Sequence, residues 1–161
     1  MANGRVHFIG NLLTGSIAIC VTKLYLPEQF NQVLLGSLCG LFITPDMDLE
    51  GRTHTENLLR KIPVIGLLFQ VSWYLYALLF AHRGLSHNIF IGTLSRIIYS
   101  LLLIIFWLLL VTGIIYITGN TNNQIWLTVY NWLQCYVTIP MLFIWFLQDC
   151  NHYLLDILFD K

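Results

Sequence analysis

Charge is what this chain has least of. Of its 161 residues, 8 are Lys or Arg and 8 are Asp or Glu, 10% in all, and the formal net charge is zero. Such a chain has no basic field to hold nucleic acid and no acidic tail. Cysteine is sparse and unpatterned. Cys20, Cys39, Cys135 and Cys150 form no Cys-x-x-Cys pair, and the first three lie in apolar runs, so they read as small buried hydrophobes. Nothing calls for a disulfide framework or an oxidising compartment. The N-terminal stretch does not look like a cleaved signal peptide either. Arg5 is followed by a weak apolar stretch broken by Asn11, Thr14 and Gly15, with no small-x-small site before Lys23. The mature chain is therefore expected to keep His7.

What the chain has in plenty is apolar sequence: 57% of residues are hydrophobic and 14% aromatic. Five apolar stretches can be marked, at 8–26, 30–43, 62–81, 89–118 and 125–147. A membrane helix needs roughly 20 apolar residues. The pattern predicts one all-α domain over 1–161, a helical integral membrane protein in contact with the lipid bilayer. If its polar clusters share one face, 8–26 leaves from His7, 30–43 returns at Asp46, 89–118 leaves from His87 and 125–147 returns at Asp149. That makes about four transmembrane helices. Residues 62–81, with Pro63, Gly66, Gln70 and several aromatics, then form an interfacial or re-entrant helix. In this arrangement Arg5, Arg52, Arg60, Lys61, Arg83 and Lys161 lie on the cluster face, Arg96 one or two turns into the membrane, and only Lys23 opposite. The positive-inside bias puts the cluster face and both termini in the cytoplasm.

The scarce polar residues are not scattered. They form Gly-Arg-Val-His ending at His7, Pro-Asp-Met-Asp at 45–48, His-Arg-Gly-Leu-Ser-His at 82–87, and Asp-Cys-Asn-His-Tyr-Leu-Leu-Asp at 149–156. Ionisable groups beside apolar spans are costly and persist where they pair or bind something. Imidazole with carboxylate is the usual donor set for zinc or a similar transition metal. His152 and Asp156 are four apart and share a helical face, with Asp149 joining the same stripe; a solvated polar helix end is the alternative. Asp46 and Asp48, in an extended segment, point to one side; helix termination and capping is the alternative. His82 and His87 lie about 140° apart on a straight helix, so a shared site needs a bend at Gly84. Arg83 clamps an anionic oxygen or snorkels to the interface. His54 has no partner at ligand spacing and is left out, as is Cys150.

The order His7, Pro-Asp-Met-Asp, His-Arg-Gly-Leu-Ser-His, His-x-x-x-Asp resembles the YdjM-like bacterial membrane-bound metal-dependent hydrolases. It is more similar still to a sister group of small, uncharacterised metal-binding membrane proteins, often cyanobacterial, that begin with a like Gly-Arg-x-His. Both groups look distantly related to zinc-dependent phospholipase C and its nuclease relatives, helical enzymes that hold a zinc cluster with His and Asp. The resemblance spans 4–156. It implies His7, Asp46 or Asp48, His82, His87, His152 and Asp156 as metal ligands, and a bacterial inner or cyanobacterial membrane. The chain departs from the pattern at Asn88, where close relatives have Ser, and in the more apolar 62–81.

Eight candidate donors, four His and four Asp, suffice for one or two divalent ions, zinc first and manganese second. The expected activity is hydrolysis of a phosphoester in a lipid or lipid-like substrate by a metal-activated water. Asp48 and Asp149 are the candidate bases, with Asp46 a further one, and Arg83 is the phosphate clamp. Two other classes stay open. A non-catalytic membrane protein or assembly subunit would hold a closed, structural metal. A divalent-metal transporter would spread its ligands through the bilayer depth, whereas here they cluster at helix ends.

Overall fold

Four prolines punctuate the chain, and each stands at the start of a helical segment, where a missing N–H costs nothing. The computed structural model describes residues 4–48, 53–80, 88–117 and 124–159. Among them are seven α-helices: α1 (Gly4–Tyr25), α2 (Phe30–Phe42), α3 (His54–Leu59), α4 (Pro63–Leu79), α5 (Ile89–Ile117), α6 (Gln124–Tyr136) and α7 (Ile139–Phe159). Two 3₁₀ turns, Pro27–Gln29 and Pro45–Asp48, begin at prolines and flank α2.

The all-α expectation holds; the count of spans does not. Two helices, α1 and α5, are long and apolar enough to cross a membrane. The pair α6 and α7, bent by 66°, makes a third if taken as one span, and α4 is apolar but shorter. Residues 30–43 fail for lack of length. The 13 residues of α2 rise about 20 Å, against a hydrocarbon core of about 30 Å. The last stretch fails as a straight span over 125–147 because Pro140 has no N–H to give to α6 and opens a new helix instead. That helix then runs on through the polar cluster at 149–156 to Phe159.

Helices α1, α2 and α7 pack against one another as one unit. Gly36 and Gly40, one turn apart on α2, let α7 approach. A Cβ at Gly36 would lie 2.2 Å from the Met141 carbonyl oxygen, and one at Gly40 would lie 2.2 Å from Gln148 Oε1. The contact is tied by buried amides. Asn11 Nδ2 donates to the Gly40 carbonyl at 2.9 Å. Gln148 Nε2 donates to the carbonyls of Asn11, at 2.8 Å, and Ser37, at 3.2 Å. Small residues and interhelical amide bonds are the means by which helices associate where apolar burial gives no net drive.

A second cluster, Met47, Trp73, Tyr76 and Tyr99, joins the Pro45–Asp48 turn to α4 and α5. Tyr99 donates to the Ser72 carbonyl at 2.6 Å, and the Tyr76 hydroxyl meets Ser95 Oγ at 2.9 Å. This cluster buries Met47 and so aims the two aspartates beside it. Outward, α1, α4 and α5 present large apolar side chains such as Ile17, Leu78 and Leu109, each more than half exposed, as lipid-facing helices do.

Candidate metal centre

His7 lies in the first turn of α1, and His152 lies beyond the midpoint of α7. Both are buried, at 3% and 0% exposure. Their rings stack face to face, with centroids 3.7 Å apart and planes 11° from parallel. Asp156 spans the pair: Oδ1 is 3.2 Å from His7 Nε2 and Oδ2 is 3.7 Å from His152 Nε2. Asp46 approaches from the end of α2, with Oδ1 3.4 Å from His152 Nε2. The N-terminal turn of α1, the turn after α2 and the C-terminal half of α7 thus meet at one point. The close packing through Gly36 and Gly40 sets the spacing of α2 and α7.

These residues fit a divalent ion. One donor atom each from His7, His152 and Asp156 lies within 4.8 Å of the others. Donors around one zinc, at about 2.1 Å each, are about 3.4 Å apart, a difference that side-chain rotation covers. His7 Nδ1 is buried and makes no hydrogen bond to a described residue. Two imidazoles in face contact, held among carboxylates away from water, form a site that a cation completes.

A second polar group lies beside the first. Arg96 Nη2 donates to Asp149 Oδ2 at 2.6 Å, and both residues are almost fully buried. Thr93 Oγ1 donates to the same oxygen at 2.5 Å, while Asp149 Oδ1 is buried and makes no hydrogen bond to a described residue. The Tyr76 hydroxyl is within electrostatic reach of both Arg96 and Asp48. A void of about 10 Å³, the size of one water, is lined by Arg96, Asp149 and His152 among others and links the two groups.

Four of the candidate ligands therefore come together: His7, Asp46, His152 and Asp156. One expectation about geometry is corrected. Asp46 and Asp48 do not share a side, because 45–48 is a 3₁₀ turn and not extended chain. At about three residues per turn, positions two apart diverge by about 120°, so Asp46 meets His152 while Asp48 is buried towards Tyr76. Asp149 does lie on the His152–Asp156 stripe of α7 and lines one void with His152, but its carboxylate pairs with Arg96 of α5. His82, Arg83 and His87 lie outside the described residues. Arg96 entered the sequence reading only as a charge for orientation. Its signal was a guanidinium two turns inside a 29-residue apolar helix, a position that requires a counter-charge on another helix. His54, left out of the site, packs edge-on against Phe8 at 5.2 Å.

The model of a family described as "Uncharacterized metal-binding protein (DUF2227)" matches residues 2–161, and the chain belongs to that family. The match supports metal binding and the sister-group resemblance; it carries no link to the YdjM-like hydrolases. No curated protein and no solved structure matches the chain.

Proposed function

We propose, from the premise that this chain is a member of a metal-binding family, that it is a membrane-bound, metal-dependent hydrolase of a phosphoester in a lipid or lipid-like substrate. The observation that carries the reading is the pairing of two buried groups: a His7–His152–Asp156 donor cluster and, one water-sized void away, a buried arginine–aspartate pair. His7, His152 and Asp156 hold the first ion, with Asp46 as a further donor; His82 and His87 are the candidates for completing it or holding a second. Zinc suits the donor set best, then manganese. A divalent ion there supplies Lewis acidity and brings the pKa of a water to about 7.

The chain's own residues do the rest. Arg96 and Thr93 hold Asp149 by Oδ2, which leaves Oδ1 to take a proton from a water in the void. Attack of that water on phosphorus breaks the bond to the leaving alkoxide, and Asp149 returns the proton to it. Asp48 is the alternative base, and Arg83 the clamp for the phosphate oxygens. If the shorter α2 and the bent α6–α7 pair complete the spans that α1 and α5 begin, the lysine and arginine bias puts the site on the cytoplasmic side of a bacterial inner or cyanobacterial membrane.

The second reading is a structural metal in a non-catalytic membrane protein. Asp46 as a fourth donor and the near-complete burial of both imidazoles favour it. One experiment separates the two. Metal content per chain is measured by mass spectrometry on detergent-purified protein and on His152→Ala and Asp46→Ala, alongside phosphodiesterase activity in mixed micelles of a chromogenic phospholipid analogue. Bound metal lost in both variants, with turnover lost on chelation, supports the hydrolase. Metal whose removal unfolds a protein that never turns over substrate supports the structural reading. Full turnover by metal-depleted protein sinks both.

A further inference from the structure

Helices α2, α4, α5, α6 and α7 together line a partly open cavity of about 750 Å³. Among the described residues no charged side chain lines it. Both serine hydroxyls in its lining have partners: Ser100 Oγ donates to the Arg96 carbonyl at 2.7 Å, and Ser72 Oγ accepts from Trp107 Nε1 at 3.3 Å. Nothing in the lining asks for a polar ligand. The volume falls within the range of about 300–1,000 Å³ usual for small-molecule sites.

The cavity ends next to the chemistry. Three lining residues lie within one helical turn of three polar ones: Ile43 before Asp46, Trp145 before Asp149 and Ser100 after Arg96. One turn is about 5.4 Å. Trp145 Nε1 donates to the Ile43 carbonyl at 3.3 Å and braces α7 against the end of α2 at that boundary. The apolar cavity and the polar centre are thus neighbours, separated by about one helical turn along α5 and α7.

We propose that this cavity is a chamber for one hydrocarbon chain of a membrane amphiphile whose anionic head sits at the metal centre. The inference deepens the hydrolase reading and rests on it for the head group; the chamber rests on its own lining. Protein interiors are close-packed, and an apolar void left empty forfeits contacts on every wall. Water gains nothing there. In a bilayer the material at the cavity mouth is acyl chain.

The test uses the full chain in phosphatidylcholine nanodiscs doped with a phosphatidic acid that carries a diazirine at the end of one acyl chain. After irradiation, labelled residues are mapped by mass spectrometry. Label is expected on the chamber walls, at Leu35, Ile97 and Ile104. It falls about fivefold or more in Ile104→Trp and in Leu35→Trp, which fill the space from different helices, and is unchanged in the outward-facing control Leu109→Trp. Metal content is unchanged in all three. If one filling variant does not fold, the other still decides.

His152→Ala keeps the chamber label, because burial of the chain does not depend on the metal. Chamber labelling in a protein that turns over no phosphoester would leave the chamber standing and remove the hydrolase. Label spread evenly over the outward faces of α1 and α5, indifferent to both tryptophans, would overturn the chamber. So would loss of label in His152→Ala, or a chain-to-chain cross-link through the cavity walls, which would mark a second copy as the occupant.

Discussion

The two halves of this molecule are packed by opposite rules. On the side of α1, α2 and α7, glycines bring backbones into contact, buried amides tie helix to helix, and the side chains of four candidate ligands meet within a few ångströms. On the side of α4, α5 and α6, large aromatic and aliphatic residues instead form, with one face of α2 and α7, the walls of a cavity of about 750 Å³. Metal ligation tolerates errors of only tenths of an ångström, so the ligand-bearing helices need a frame that cannot shift. A hydrocarbon chain has no preferred geometry to match, and the wall around it needs only to be apolar.

That contrast can be broken where it is strongest. Asp149→Ala removes the counter-charge of an arginine that is 1% exposed and is expected to cost about 3–5 kcal/mol. Arg96→Met in the same chain recovers most of the loss. Thermal unfolding in detergent, followed by circular dichroism, measures both. A single variant as stable as the wild type would mean that water reaches the pair and the site is not closed. Glycine comes next. Gly36→Ala drives a Cβ into the Met141 backbone carbonyl, which cannot rotate away, and is expected to cost about 3 kcal/mol through overpacking and to lower metal content with it. Gly113→Ala on α5 meets nothing within 4 Å and should stabilise by about 0.5–1 kcal/mol. Equal effects at the two glycines would erase the difference between the halves. The smallest loss is Gln148→Leu, which breaks the bonds to the Asn11 and Ser37 carbonyls. About 1–2 kcal/mol is expected, with the chamber's lipid labelling unchanged because the bonds lie wholly within the tight half.

Much of the centre is visible in the linear sequence because its signals are local. His152 and Asp156 are one helical turn apart whatever surrounds them. A proline-bounded Asp-Met-Asp at the end of an apolar run has few ways to avoid an interface. His7 stands in the first turn of a membrane-length helix. Arg96 was poorly visible, since its meaning depends on a partner 53 residues away. Asn11 and Gln148 carried no pattern at all: an amide in an apolar run becomes interhelical glue only when a carbonyl on another helix comes within reach.

The linear sequence determined by itself that the chain is helical, that its helices are apolar enough for a membrane, and that its few charges gather in clusters of metal-ligand type. Composition and periodicity are properties of single segments and need no fold. The tertiary structure alone decided which residues of each cluster meet. Burying Met47 in a 3₁₀ turn brought Asp46 to His152 and left Asp48 buried within electrostatic reach of Tyr76. The break at Pro140 let α7 carry His152 and Asp156 back to His7, and α5 gave Asp149, on the same stripe, a guanidinium partner. Each of these outcomes turns on the direction of a side chain in space, set by helix packing across the whole chain and not by any neighbour in sequence.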